Sequence, residues 1–300
     1  MRSKNVGTLL MVLTSATLAV AVILMKWIPL LTNLSPKDVA IWRFSIAAPL
    51  LWMVYFFQKK SGKKQINPTH QYMLLGAVFA VASFCSIFAL DRLPSSLYVI
   101  VVYMYPSLVG LFLLITRKTV PKLIWIGLPV TFLGLFLVAF EFGAVLTIDR
   151  IGLLITLVNA FAMASYLILS EKLFKNTNNK LFATNLVMTG AMIVGLSMIP
   201  ILGISMPDSL MDWVLLLSLG IFGTALPIYA MNLGLQLLGA ARGSVVITLH
   251  PVLTVLFSTI FLGEILSLQQ WLGGALVIAA IVILQMSADG QKAQEMRMRG

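Results

Sequence analysis

Few side chains in this sequence could do chemistry, and most of those lie inside long apolar runs. There are two histidines, His70 in a polar stretch and His250 in an apolar one. Cys85 is the single cysteine, which leaves no intramolecular disulfide and no cysteine-rich metal site. The sequence holds no HExxH, no phosphate-cradling glycine loop and no nucleophile with a positioned base. An enzyme needs polar groups converging on one site, and the apolar runs supply few. The expectation is therefore no catalytic residue, no metal and no cofactor.

The polar residues that do fall inside apolar runs are Thr14, Ser83, Tyr98, Tyr105, Asn159, Tyr166, Tyr229, Asn232, His250 and Thr254. Each is a candidate for lining an internal cavity. The alternative for each is an interhelical hydrogen bond, worth under about 1 kcal/mol in a bilayer. Asn159 and Tyr166 share one face by helical spacing, which favours a common role.

Two prolines, Pro106 and Pro251, interrupt apolar runs at corresponding places and are read as kinks. A proline frees the carbonyl four residues earlier, here Val102 and Ile247, and a freed carbonyl is tolerated in lipid where it faces a cavity or a partner. Tyr98, Val102 and Tyr105 lie on one helical face beside the first proline; Gly243, Ile247, His250 and Thr254 form the matching face beside the second. Tyr105 and His250 each precede a proline and are expected to look inward from opposite sides. The other reading is that the prolines only shape packing and the tyrosines only anchor interfaces. His250 is the one residue of these runs whose ordinary pKa lies near neutrality, so it is the sole candidate for proton coupling.

Positioning these residues requires helices in lipid. Of 300 residues, 60% are hydrophobic and only 10% charged, and the mean hydropathy is +0.99. Such a chain needs lipid as its solvent, and runs of about twenty apolar residues suit helices and not barrel strands. Ten segments qualify: Val6 to Met25, Val39 to Phe57, Tyr72 to Leu90, Leu97 to Thr116, Leu123 to Phe140, Ile151 to Ser170, Leu181 to Leu202, Trp213 to Leu233, Ser244 to Leu262 and Leu268 to Met286. The first follows Arg2 and Lys4 like a signal peptide, but its apolar run is long enough to span. Lys26, Arg43 and Glu264 fall near span ends and read as interfacial anchors; a contact between Arg43 and Glu264 is the alternative.

The net charge of +11 would raise the question of nucleic acid in a soluble protein. Here the basic residues concentrate in alternate loops, sixteen in one set against four in the other, which orients the spans and places both termini in the cytoplasm. No basic stripe interleaved with exposed aromatics points to nucleic acid. With no fixed charge at mid-depth, aromatics, hydroxyls and amides favour neutral, zwitterionic or lipophilic solutes.

An even number of spans with both ends on one side also inserts each five-span half upside down relative to the other. A shift of 145 places Pro106 on Pro251, Val101 on Val246 and Leu111-Phe112 on Leu256-Phe257. Trp125-Ile126-Gly127 matches Trp271-Leu272-Gly273 after one inserted residue. The fold class is all-α membrane protein, ten transmembrane helices as two inverted five-helix repeats.

The order of short motifs is specific. Lys26 through Ser35-Pro36 to Arg43-Phe44 resembles the opening of the drug/metabolite transporter superfamily, EamA type. Pro251 to Leu262-Gly263-Glu264, then Trp271-Leu272-Gly273, resembles that family's ending, and Ala162 to Lys172 resembles its sixth span. Thr119 stands where a glutamate would fall in the first repeat, and Leu18-Ala19 replaces the usual Trp-Gly of the first span. The resemblance implies EamA-like repeats over residues 1–143 and 144–288, followed by a cytoplasmic tail, 289–300. It implies a secondary transporter of small metabolites such as amino acids or of drugs, for export or uptake with export favoured, driven by a gradient through alternating access. A channel or lipid scramblase is the alternative. The expected partners are a small-molecule solute and the lipid bilayer, with no nucleic acid, and the expected location is a bacterial cytoplasmic membrane.

Overall fold

The computed structural model describes residues 2–57, 69–90, 92–93, 98, 101–116, 122–139, 149–175, 177–262, 267–269 and 271–280. Among them there is no strand. Glu264, Thr119, the 143/144 repeat boundary, the start of the fourth span, the end of the tenth and the 289–300 tail lie outside the described residues. So, as a consequence, does the Arg43 to Glu264 contact.

The helices are α1 (Arg2–Leu31), α2 (Pro36–Phe57), α3 (Thr69–Leu90), α4 (Tyr105–Ile115), α5 (Lys122–Ala139), α6 (Arg150–Lys175) and α7 (Lys180–Ser197). There follow α8 (Leu210–Gly220), a π-helical turn (Ile221–Ala225), α9 (Leu226–Leu238), α10 (Ala240–Val246), α11 (Leu249–Leu262) and α12 (Trp271–Ala280). Seven helical stretches among the described residues are long and apolar enough to cross a membrane, and two shorter apolar helices cover Trp125–Leu137 and Trp271–Ala280.

Local chemistry sets the helix ends. Ser35 starts α2 by giving its N–H and hydroxyl to Asp38 at 2.9 and 2.5 Å, with Pro36 at the first helical position, where a missing N–H costs nothing. The other Asp38 oxygen accepts the Ser205 N–H at 3.0 Å, which ties the loop before α8 to the start of α2. Ser209 and Asp212 form a reciprocal capping box on α8. Asp149 accepts the Gly152 N–H at 2.7 Å to start α6, a bond that holds its carboxyl below the usual range, and it pairs with Arg92 at 3.5 Å.

Two sequence expectations change here. Lys26 does not end the first span: α1 continues through Leu31, because Ile28 is buried in a core with Leu34, Leu216 and Leu219. The eighth span is longer than expected, 29 residues with the π turn inside it.

The main core lies where α2, α3, α6, α7 and α9 meet, around Phe44, Phe79, Tyr166, Leu167 and Val187. Glycines let these helices approach. A Cβ on Gly76 of α3 would sit 1.7 Å from the Val187 carbonyl oxygen, and one on Gly190 of α7 would sit 1.9 Å from that of Met73. In lipid, where apolar surface gives no net drive between helices, such contact supplies the packing energy. Gly134 of α5 meets the Gly273 backbone in the same way.

Candidate functional site

Four groups of buried polar side chains bear on the expected site residues. On α6, Asn159 donates at 2.9 Å both to Ser86 Oγ of α3 and to the Tyr98 hydroxyl. Two turns further on, the Tyr166 hydroxyl and the Ser170 hydroxyl each donate to Asn232 Oδ1 of α9 at 2.8 Å, and Asn232 Nδ2 donates to Thr184 Oγ1 of α7 at 3.4 Å. Asn159 and Tyr166 are thus both buried on α6, as their spacing implies, but they serve different partners.

The third group lies at the two interrupted spans. The chain breaks at Tyr103-Met104 before α4 and at Ile247-Thr248 before α11, so Pro106 and Pro251 stand in the first turns of helices and not inside continuous, kinked ones. The Ile247 carbonyl is not free either, because it accepts the His250 N–H at 3.0 Å. His250 Nδ1 lies 2.5 Å from the Tyr103 hydroxyl, while its Nε2 makes no hydrogen bond among the described residues, although the backbone of Leu18 lies beside the ring. Tyr105, the expected counterpart of His250, instead packs its ring on Tyr103 at 5.6 Å between centroids. Tyr103 was the residue missed. Its hydroxyl reaches His250 because the break at 103–104 turns the chain between one tyrosine and the next.

The fourth group is Arg43, which is 6% exposed and packed inside the protein. Its Nε donates to Thr224 Oγ1 at 3.2 Å and its Nη2 points at the Gly223 carbonyl at 3.5 Å, both on the π turn.

The remaining candidates are tied down locally. Thr14 donates to Leu10 and, at 3.4 Å, to the Pro227 carbonyl of α9; Thr254 donates to the His250 carbonyl at 2.9 Å. Ser83 and Tyr229 are half-buried and have no hydrogen bond among the described residues. Ser86, one turn beyond Ser83, was not singled out by the sequence reading and accepts from Asn159. Ser170 could have been found from its four-residue spacing to Tyr166. A pocket of about 360 Å³ opens elsewhere, between the end of α1 and the start of α8, lined by Leu31, Asn33, Asp208 and Asp212 among others and by none of the expected site residues. Among the described residues no group of three or more His, Cys, Asp or Glu side chains could hold a metal ion.

One family profile matches this sequence twice, over residues 5–140 and again over 150–286. The chain belongs to the EamA-like transporter family. It is an integral membrane protein and a membrane transporter. Relatives of this EamA-like chain include the uncharacterized transporter YdfC of Bacillus subtilis (strain 168), 27% identical over 158 residues. That match spans 52% of this chain and 51% of YdfC, about half the length of each. The uncharacterized transporter YcbK of the same organism is 25% identical over 286 residues, 91% of this chain and 90% of that protein. A solved crystal structure with 17% identity matches with a TM-score of 0.75 over 97% of this chain and 98% of the other, a likeness of fold.

Proposed function

We propose that this EamA-like protein is a secondary transporter that exports small organic metabolites, such as amino acids, or drugs, by alternating access between two inverted five-span repeats, 1–143 and 144–288. The observation that carries the reading is that polar links inside the protein join one family match to the other, among them Asn159 to Ser86 and Tyr98, His250 to Tyr103, and Arg43 to Thr224. Polar groups buried in lipid are costly, and placing them between two repeats is what a solute path along that interface requires.

The packing supports the inverted arrangement, since a shift of five spans exchanges its contacts. The α3–α6 contact has its counterpart in α1–α9, α3–α7 in α2–α8, and α4–α6 in α1–α11. The α2–α7 and α4–α10 contacts are their own counterparts. The seven long helices, the two shorter apolar ones and the interrupted segment ending in α4 make the ten spans of this proposal.

The test begins with an untargeted comparison of extracellular and intracellular metabolites with and without the protein. The solute it identifies is then followed in proteoliposomes. Saturable flux with competitive inhibition is expected; flux linear in concentration, or flipping of labelled lipid without solute flux, would replace the carrier with a channel or a scramblase.

Orientation has its own expected outcome. In a Cys85→Ser background, a cysteine at Met206, which is 65% exposed on the loop before α8, should react with an impermeant thiol reagent on intact cells. A cysteine at Ser61 should be protected until the cells are opened. Labelling of both from outside would overturn the cytoplasmic placement of the termini. Met206 is preferred to its neighbour Ser209, whose side chain caps α8.

A further inference from the structure

We propose that Arg43 is the group that binds a carboxylate in the transport path, so that the solute is an organic acid or an amino-acid zwitterion. This deepens the transporter reading above and rests on it. Arg43 lies seven residues into α2, about 10 Å along the helix at 1.5 Å per residue, and it is 6% exposed. A cation so buried costs several kcal/mol unless a countercharge and good acceptors meet it.

This one is poorly met. Of five guanidinium donors, Nε has a sound bond, to Thr224. Nη2 reaches the Gly223 carbonyl only at 3.5 Å, and Nη1 faces the thioether sulfur of Met25 at 3.8 Å, a weak acceptor. The Phe44 ring, 5.0 Å from the guanidinium carbon, adds a cation–π contact but no charge. Among the described residues no carboxylate pairs with it. The outer edge of the guanidinium, Nη1 and Nη2, therefore keeps donors without strong acceptors, the edge to which a planar carboxylate offers two parallel bonds.

Two further observations point the same way. The π turn at Ile221–Ala225 presents Gly223 and Thr224 to Arg43, and such turns concentrate at functional sites. One stripe of α1 also joins this group to the third: Leu18 lies beside His250, Ala21 against Gly223 and Met25 against Arg43. Leu18 and Met25 are seven residues apart, about 10 Å along the helix and on one side of it. A small acid whose carboxylate meets Arg43 would thus extend toward Tyr103 and His250.

Thermal unfolding of the purified protein tests this with acetate, glycine and benzoate against acetamide, glycinamide and benzamide at constant ionic strength. At least one carboxylate should raise the Tm saturably in the wild type, and its amide should not. The shift should vanish in Arg43→Gln, and in Arg43→Lys its half-saturation should rise tenfold or more. Equal shifts by acid and amide, no shift by any carboxylate, or an unchanged half-saturation in Arg43→Gln would overturn the proposal. Should Arg43→Gln not fold, an unchanged half-saturation in Arg43→Lys overturns it instead. Saturable flux in the same preparation is a separate readout, so the transporter reading survives a negative result here.

Discussion

Gly76→Ala is expected to remove most of the folded protein from the membrane, although it adds a single methyl group. The added Cβ would lie 1.7 Å from the Val187 carbonyl oxygen, 2.7 Å from its carbon and 2.9 Å from the Ala191 nitrogen. All three are backbone atoms of α7, so no side-chain rotation relieves the clash. The two helices must part, and with them a core that includes Leu75, Phe79, Val187, Met188 and Ala191. Overpacking by a methylene costs about 1–3 kcal/mol, occasionally more, when side chains can yield, and here none can. Gly190→Ala should behave alike, because its Cβ meets the Met73 backbone. Gly110→Ala is the control, since its nearest contact is an ordinary 3.6 Å to Trp125. The check is yield and Tm in detergent; a Gly76→Ala protein that melts with the wild type would mean that α3 and α7 do not cross this closely.

The second large effect concerns energy coupling. In the proposed carrier, His250→Gln should abolish uphill accumulation driven by an imposed pH gradient while sparing solute exchange to within a few fold. The ring lies at the junction of the two interrupted spans. It faces the Tyr103 hydroxyl and, beyond it, Tyr105; the Leu18 backbone is its neighbour on α1. Among the described residues no carboxylate, lysine or arginine contacts it. Glutamine keeps a hydrogen bond to Tyr103 within reach but cannot take up a proton, so the substitution separates coupling from binding. Tyr103→Phe removes the partner and leaves the proton acceptor, and should change affinity more than pH dependence. Tyr105→Phe, whose ring only packs on Tyr103, should change less. The measurement is reconstituted transport under an imposed pH gradient in all four proteins. Full pH dependence in His250→Gln, with or without altered affinity, would remove the histidine from the coupling mechanism.

The pattern of what could be read beforehand follows from the solvent. Apolar length marked the helices, and the offset of 145 placed Pro106 on Pro251, beside the two places where the chain does break. The α6 spacing marked Asn159 and Tyr166 as a shared face, and both are buried. Other features depend on neighbours remote in sequence. Arg43 read as an anchor because its own neighbourhood resembles a span end; its burial comes from the π turn of the eighth span, some 180 residues away. Glu171 drew no attention, yet its carboxylate accepts the Ala240 N–H at 2.8 Å and so caps α10 beside Gly239, whose φ of +83° suits glycine.

Residue pattern alone established that the chain lives in lipid and marked the described helices, though α1 runs on to Leu31 and the eighth span to Leu238, past the expected Met25 and Leu233. Which polar group meets which came only with the folded arrangement: Tyr103 with His250, Ser86 with Asn159, Thr224 with Arg43. In water a helix declares its buried side by a polar opposite face. A membrane helix is apolar all round, so Leu9, Leu154 and Ile201 face outward while Met11, Leu167 and Val187 face the core, with nothing in residue type to tell them apart. Rotation of each helix about its axis, and hence every interhelical hydrogen bond, is set by close packing at small residues such as Gly76 and Gly190, which acts only when both helices are present.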